Sequence, residues 1–449
     1  MESTLDSESA ATCVSTRSVQ RISSRSIAVT VQSARSSISL KYRVWDKAFG
    51  TIRLCPKQIM LTRTFLPLLA LTCSSFVSRS YSQEKAAEQL EVTRGFEMSV
   101  PAVPSYRGGG MVLLNRETTL LAYGKPGELR KVPLGTVRIY GVISKDGGKT
   151  WGEERVIEHN PGCQAGRPSF LKTKDGMIRM FYYGFVKLEE RVKDSQSDLW
   201  VVQSRNGGQT WFGRQKIFKG FTGATNGAIE TAAGLMIVPF SYMVEPMRLV
   251  SACLVSSDQG KTWKLGEAID LGEAAGYGDH AGALEPTVVE LKDGRIWMVI
   301  RTNKGQFYQA FSNDQALTWT RANPTGILSP NAPGFVTRLQ SGRLAFVWNL
   351  IDETEASIWK RGEQPTTNQR HRLAIALSED DGKLWTLPVI AAQAKEISYP
   401  FLLEVGRGQL MLSSGRLRKP DLEMDTVVLL TSETTLMKLA KEMAGQKAQ

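Results

Sequence analysis

Ser144-Lys145-Asp146-Gly147-Gly148-Lys149-Thr150-Trp151 returns along the chain as Ser204 to Trp211, Ser256 to Trp263, Ser312 to Trp319 and Ser378 to Trp385. Copies starting at 144, 204, 256, 312 and 378 have the spacing of propeller blades, so the repeat sets the architecture before any single residue is discussed. Each copy reads as one hairpin turn. The Ser and the Asp (Asn206 in the second copy) are short side chains that bond back to turn amides, the Gly accepts positive φ, and the Trp is an apolar anchor. Two further copies depart from the pattern, with Ala316 in place of the Gly and Leu384 in place of the Thr.

Working outward, the sequence between about residues 105 and 436 repeats one unit six times: apolar strand, Gly-containing turn, second apolar strand, variable loop, third strand. Val288 to Leu291, the Asp293-Gly294 turn, Ile296 to Ile300 and Phe307 to Phe311 form the cleanest example. β-branched and apolar runs broken by D-G or S-G dipeptides are hairpin signals. The expectation is an all-β protein, a six-bladed β-propeller over residues 90–436, with Leu90 to Val100 closing the last blade and 437–449 as a C-terminal tail.

The formal charge of +12 suggests nucleic acid until it is divided. Residues 1–59 hold nine basic against four acidic side chains, Arg63 and Arg79 add two more, and only +5 is left on the remainder. No basic run interleaved with aromatics accompanies it, so nucleic acid is not an expected partner. Residues 1–59, rich in Ser, Thr and Arg, read as a disordered leader or as an extension ahead of the true start. From Met60 the pattern changes: Arg63, then apolar Phe65 to Leu71, then small and polar Ser74 to Ser82 form the three parts of a secretory signal peptide over 60–82, too short to span a membrane. Cleavage there would leave Cys163 and Cys253, which do not make a disulfide framework. A secreted or periplasmic monomer is expected.

S-x-D-x-G-x-T-W is the Asp-box, or BNR, pattern, and through it the chain resembles the sialidase (neuraminidase) superfamily. In that family the boxes lie away from the site, so they speak for fold and not for activity. The family clamps a sugar carboxylate with three arginines, attacks the anomeric carbon with a Tyr activated by a Glu, and uses an Asp as general acid/base. The Tyr has a chemical reason. The anomeric carbon of a sialic acid already bears a carboxylate, which repels an anionic nucleophile but not a neutral phenol. Glu285-Pro286-Thr287-Val288-Val289-Glu290-Leu291-Lys292-Asp293-Gly294, followed by Arg301, looks like the family segment that carries the activating Glu and the second clamp arginine. An ordinary inter-strand ion pair would use the same two residues.

Arg370, in Arg370-His371-Arg372-Leu373, stands where the third clamp arginine would, with Arg372 as the close alternative. Tyr399, in Ser398-Tyr399-Pro400-Phe401, stands where the catalytic Tyr would; Pro400 departs from the family's Ser, and a core or rim tyrosine is the plain reading. Tyr106-Arg107-Gly108-Gly109 makes Arg107 the first clamp, preferred over the similar Arg167-Pro168-Ser169 on grounds of chain order. No Asp lies between Arg107 and Asp146, and Glu128 is the only carboxylate of the 124–135 loop, so the acid/base role falls to Glu128. Asp279 and His280, just before Glu285, are either mouth residues or an exposed loop. No His/Cys/Asp grouping has metal-ligand spacing, and no cofactor is expected.

The resemblance thus implies an exo-sialidase-like hydrolase, with Tyr399, Glu285 and Glu128 catalytic and Arg107, Arg301 and Arg370 binding the acidic glycan. The missing Asp keeps two alternatives open: a propeller that binds acidic glycans without cleaving them, and a hydrolase or lyase of another acidic polysaccharide.

Overall fold

The computed structural model describes residues 90–99, 103–104, 108–125, 133–187, 195–272, 276, 280–417 and 424–447, together with four strands between residues 20 and 54. The chain divides into two compact units, 1–85 and 86–449. In the first unit, Gln20–Ile22, Arg25–Ala34, Ser37–Asp46 and Ile52–Leu54 pair in chain order as an antiparallel meander. The expected signal peptide, 60–82, lies outside the described residues, as do Arg107, Glu128 and Asp279.

The second unit is a six-bladed propeller. Its blades span 110–158, 164–218, 229–265, 284–328, 335–393 and 397–432, and within each the strands lie side by side in chain order. First strands touch first strands from blade three through blade six and on to blades one and two, and the contact between the sixth and first blades closes the ring. In blade four, Ile296–Arg301 is buried at every residue, whereas the outermost strand, Asn323–Leu328, is largely open. Inner strands therefore read as continuous apolar runs and not as alternation, because the neighbouring blades cover both faces. The core lies between blades: Ile237, Cys253 and Val255 of blade three pack with Val288, Met298 and Ile300 of blade four.

The boxes are turns stapled by their own side chains. In the first, the Ser144 hydroxyl donates to Asp146 at 2.8 Å and accepts from the Gly148 amide at 2.8 Å, while Asp146 accepts from the Thr150 amide and hydroxyl. The other four copies keep the Ser–Asp (or Asn) and Ser–amide bonds. Leu384, in the Thr position of the fifth, still gives its amide to Asp380 at 2.8 Å, but its side chain is 75% exposed. The box tryptophans are half-buried. Trp263, for example, meets Phe181 edge-on at 5.8 Å, so its truncation should cost less than the ~3–5 kcal/mol of a fully buried indole.

These bonds make the boxes acid-sensitive. Those from Thr150 bring the Asp146 carboxyl down to about 2, and those from Thr262 do the same for Asp258. At Asp314 burial pushes the other way, but the bonds from Thr318 outweigh it and the carboxyl again falls to about 2. A carboxyl lowered in the folded state stabilises fully above the ordinary carboxylate range, and the contribution is lost as pH falls through that range toward about 2. Thermal melts should therefore drop between about pH 5 and pH 2.5, and an Asp146→Asn, Asp258→Asn, Asp314→Asn variant should lose less over that interval. Asn206 shows that the turn accepts the amide: its Oδ1 takes the Thr210 amide at 3.0 Å and its Nδ2 donates to the Thr210 hydroxyl at 2.8 Å.

Closure uses the expected segment in two places. Glu97–Met98 supplies the outer strand of blade six, and Glu91–Val92 adds a fifth strand to blade five. Each pairing covers an edge that would otherwise present bare amides. The tail begins earlier than expected, because helix Glu433–Lys447 starts directly at the end of the last strand. Leu436 and Ala440, one turn apart on one face, are buried in the core beside Phe96, and this burial holds the helix down. A short helix in blade five, Glu353–Lys360, was not legible from the repeat. Asp352 and Glu355 close it with a reciprocal capping box.

Candidate functional site

Strand register separates the two ends of the propeller. Leu284 pairs with Arg301 and Glu290 with Ile296, so Glu285 and Arg301 stand at one end of blade four and the Asp293-Gly294 turn at the other. Ile296 also pairs with Ser312, which places the box beside that turn and away from Glu285. Two open clefts, of about 670 and 600 Å³, lie at the box end around Asp146 and Asp380. The concentration of buried charge lies at the opposite end.

That end is built by one device used three times. The first strands of blades two, four and six each carry a register shift, at Gly166/Ser169, Leu284/Thr287 and Ser398/Phe401. Within each shift stands a residue of positive φ followed by proline: Arg167 (48°), Glu285 (34°) and Tyr399 (63°). Proline offers no amide to the ladder, and the residue before it is restricted, so the strand bulges there. Strain of this kind persists only where surrounding structure over-determines it. Pro400, a departure from the family pattern when read alone, is the third instance of a local rule.

The three bulges bring their side chains to one cluster. Arg301 ion-pairs with Glu285, donates through Nε to Asn331 Oδ1 at 2.7 Å, and has Nη1 3.4 Å from the Tyr399 hydroxyl. Arg167 Nη1 lies 3.7 Å from the other Glu285 oxygen, and its Cζ is 3.6 Å from the centre of the Tyr399 ring. Arg370 approaches the same ring at 5.6 Å, gives Nη2 to the Asn331 carbonyl at 2.6 Å, and pairs with Glu396 at 3.5 Å. All of these but Glu396 are nine-tenths buried or nearly so. Burial by itself would lower the Arg301 guanidinium, but the Glu285 carboxylate and Tyr399 outweigh it and hold Arg301 above its ordinary value.

Uncharged neighbours fix the geometry. The Glu285 amide donates to Ser241 Oγ at 3.1 Å, and its carbonyl accepts from Asn226 at 2.9 Å. A Cβ on Gly223 would come within 2.4 Å of that Ser241 hydroxyl, so only glycine allows the approach. Arg370 follows Gln369, which has φ 53° and accepts from Trp359 of the short helix at 2.6 Å, so the insertion in blade five orients the arginine.

Of the residues expected from sequence, Glu285, Arg301, Arg370 and Tyr399 are together. Arg370 rather than Arg372 faces the cluster; Arg372 turns to Glu355. His280 is exposed and contributes its carbonyl to Asn331. Arg167, passed over in favour of Arg107, is in the cluster. The signal that could have found it is the X-Pro dipeptide recurring at the head of alternate blades. Gly108, next to Arg107, lines a small cavity with Arg167, Asn226 and Tyr399. Cys163 and Cys253 are buried and unbridged. Among the described residues no group of three or more His, Cys, Asp or Glu side chains is placed to hold a metal.

The profile of the BNR repeat-like domain matches residues 134–412, more than half of the chain. The chain belongs to this family. This BNR-repeat protein is 23% identical over 304 residues to a sialidase of Micromonospora viridifaciens; the match takes in 59% of this chain and 43% of the relative, less than half of its length. Among solved structures it is similar to a Dyadobacter fermentans protein of unknown function, at TM-score 0.58 and 17% identity, covering 76% of this chain and 100% of the other. It is similar to a Hadza microbial sialidase at TM-score 0.58 and 14% identity, covering 89% and 74%. It is also similar to the Trypanosoma rangeli sialidase in complex with the inhibitor DANA, at TM-score 0.52 and 14% identity, covering 80% and 62%. At these identities the structural likenesses establish a shared sialidase-like propeller fold.

Proposed function

We propose that this BNR-repeat protein is an exo-acting glycoside hydrolase that releases a terminal acidic sugar, sialic acid or a close relative, with retention. The observation that carries the reading is the convergence of a phenol, a carboxylate and three guanidiniums on one end of the propeller, drawn from blades two, four, five and six. In this reading Tyr399 is the nucleophile and Glu285 takes its proton. The Tyr399 oxygen bonds to the anomeric carbon as the bond to the aglycone oxygen breaks, and the aglycone leaves with a proton from the general acid, a role we assign to Glu128. Water then attacks the same carbon, gives its proton to that residue's carboxylate, and Tyr399 departs with the proton held by Glu285. Arg301 and Arg370, with Arg107 as the third donor, hold the sugar carboxylate.

In the free protein the guanidiniums are engaged by Glu285, Asn331 and Glu396, so a sugar carboxylate competes for donors already in use. The decisive assay is release of free acidic sugar from an acidic glycoside. Arg301→Lys keeps the charge but loses the fork, and should weaken calorimetric affinity for that sugar by about 1–3 kcal/mol. Unchanged affinity in an Arg301→Ala, Arg370→Ala variant would remove the clamp from the reading. Binding without turnover in the parent would make the protein an acidic-glycan binder, the reading that the departure at Glu128 favours.

We further propose export: the mature chain should begin between about Ser74 and Glu84, after the signal peptide pattern that starts at Met60. N-terminal sequencing of native material checks this, and peptides from residues 1–59 in the mature protein would count against it.

A further inference from the structure

The Glu285 carboxylate lies between two cations, with Arg301 on one oxygen and Arg167 3.7 Å from the other. A carboxylate so placed is strongly favoured in its charged form and is a weak proton acceptor. A general base of that kind does little to activate a phenol. What surrounds the phenol itself is positive. Arg167 Cζ lies over the ring at 3.6 Å from its centre, Arg301 reaches the hydroxyl at 3.4 Å, and Arg370 stands at 5.6 Å. Among the described residues, Gly108 to Gly110 at the start of blade one and Thr225 and Asn226 ahead of blade three line a cavity with Tyr399, and these are uncharged. Glu396, just ahead of its own strand, is turned to Arg370. Among the described residues, Arg167, Arg301 and Arg370 face the ring with Glu285, and of the two guanidiniums placed over the ring Arg167 is the nearer to its centre.

Arg167 is also held in place from behind. It occupies the bulge before Pro168, with φ 48°, and blade one closes on that bulge so tightly that a Cβ on Gly110 would lie 2.3 Å from the Pro168 carbonyl oxygen. A side chain fixed by a strained backbone and a packed neighbour presents its charge without reorganisation when the ring ionises.

We propose that Arg167 is a positioning residue that stabilises the ionised form of Tyr399, so that this site activates its nucleophile mainly by the cations stacked on the phenol and only secondarily by the Glu285 base. The proposal rests on the reading of Tyr399 as nucleophile, but its test does not need turnover. In the ligand-free protein, ultraviolet titration of tyrosinate, parent minus Tyr399→Phe, isolates the ionisation of Tyr399. Its midpoint should lie below the ordinary tyrosine value of about 10. With Arg167→Gln in both members of the pair the midpoint should rise by about one pH unit or more, and Arg167→Lys should recover part of the difference. A parent midpoint at or above the ordinary value overturns the proposal even if neither Arg167 variant folds, and so does a midpoint unmoved by Arg167→Gln.

Turnover gives a second readout. Arg167→Gln should lower kcat about tenfold or more near neutral pH, with KM little changed and partial recovery as pH rises. A raised KM with kcat intact would make Arg167 a substrate clamp and overturn the positioning role. A parent that releases no acidic sugar would sink the hydrolase reading and leave the titration to decide on Arg167.

Discussion

Tyr399→Phe should cut release of acidic sugar by roughly three orders of magnitude or more while leaving the fold and glycan affinity near those of the parent. The hydroxyl is the only atom lost. Among the described residues it lies 3.4 Å from Arg301 Nη1, a long contact, whereas the ring keeps its place beneath Arg167 and in the bulge before Pro400. A hydrogen bond of that length contributes at most about 1 kcal/mol to stability, so melting temperature and activity should part company. Discontinuous assay of the released sugar, beside a denaturant melt, makes the comparison. Turnover that survives the substitution would remove Tyr399 as nucleophile, and with it the covalent, retaining route.

Glu285→Ala should be the most damaging change in the site, costing about 3–5 kcal/mol of folding stability. The carboxylate is 8% exposed and lies between Arg301, 2% exposed, and Arg167, so its removal leaves two buried guanidiniums facing each other across a cavity. Glu285→Gln keeps the volume and the hydrogen-bond acceptor but not the charge, and should cost less. If the stability losses of Glu285→Ala and Arg301→Ala add independently in a double-mutant cycle, the two residues are not coupled as the structure places them.

The repeat was legible because the hydrogen bonds that close its turn are local. The Ser, Asp, Gly and Thr of a box satisfy one another within four residues, and the Ser and Asp bonds persist in the copies that carry Ala316 and Leu384. Glu285 and Arg301 were legible for a related reason: one Asp293-Gly294 hairpin fixes their register, so placing the turn places the pair. Arg370 could be chosen over Arg372 only by register, and the fold supplies the cause, since Arg372 is drawn to Glu355 of a helix the repeat does not announce.

Arg167 marks the boundary between the two kinds of information. By itself the sequence determined the blade count, the box turns, and the hairpin that sets Glu285 opposite Arg301, all interactions closed over short stretches of chain. The tertiary structure alone decided that Arg167, from blade two, stacks on Tyr399 of blade six and reaches Glu285 of blade four. Those residues are more than a hundred positions apart at each step. Their meeting depends on ring closure and on three bulges turning the same way, and no local pattern specifies the packing that makes them do so.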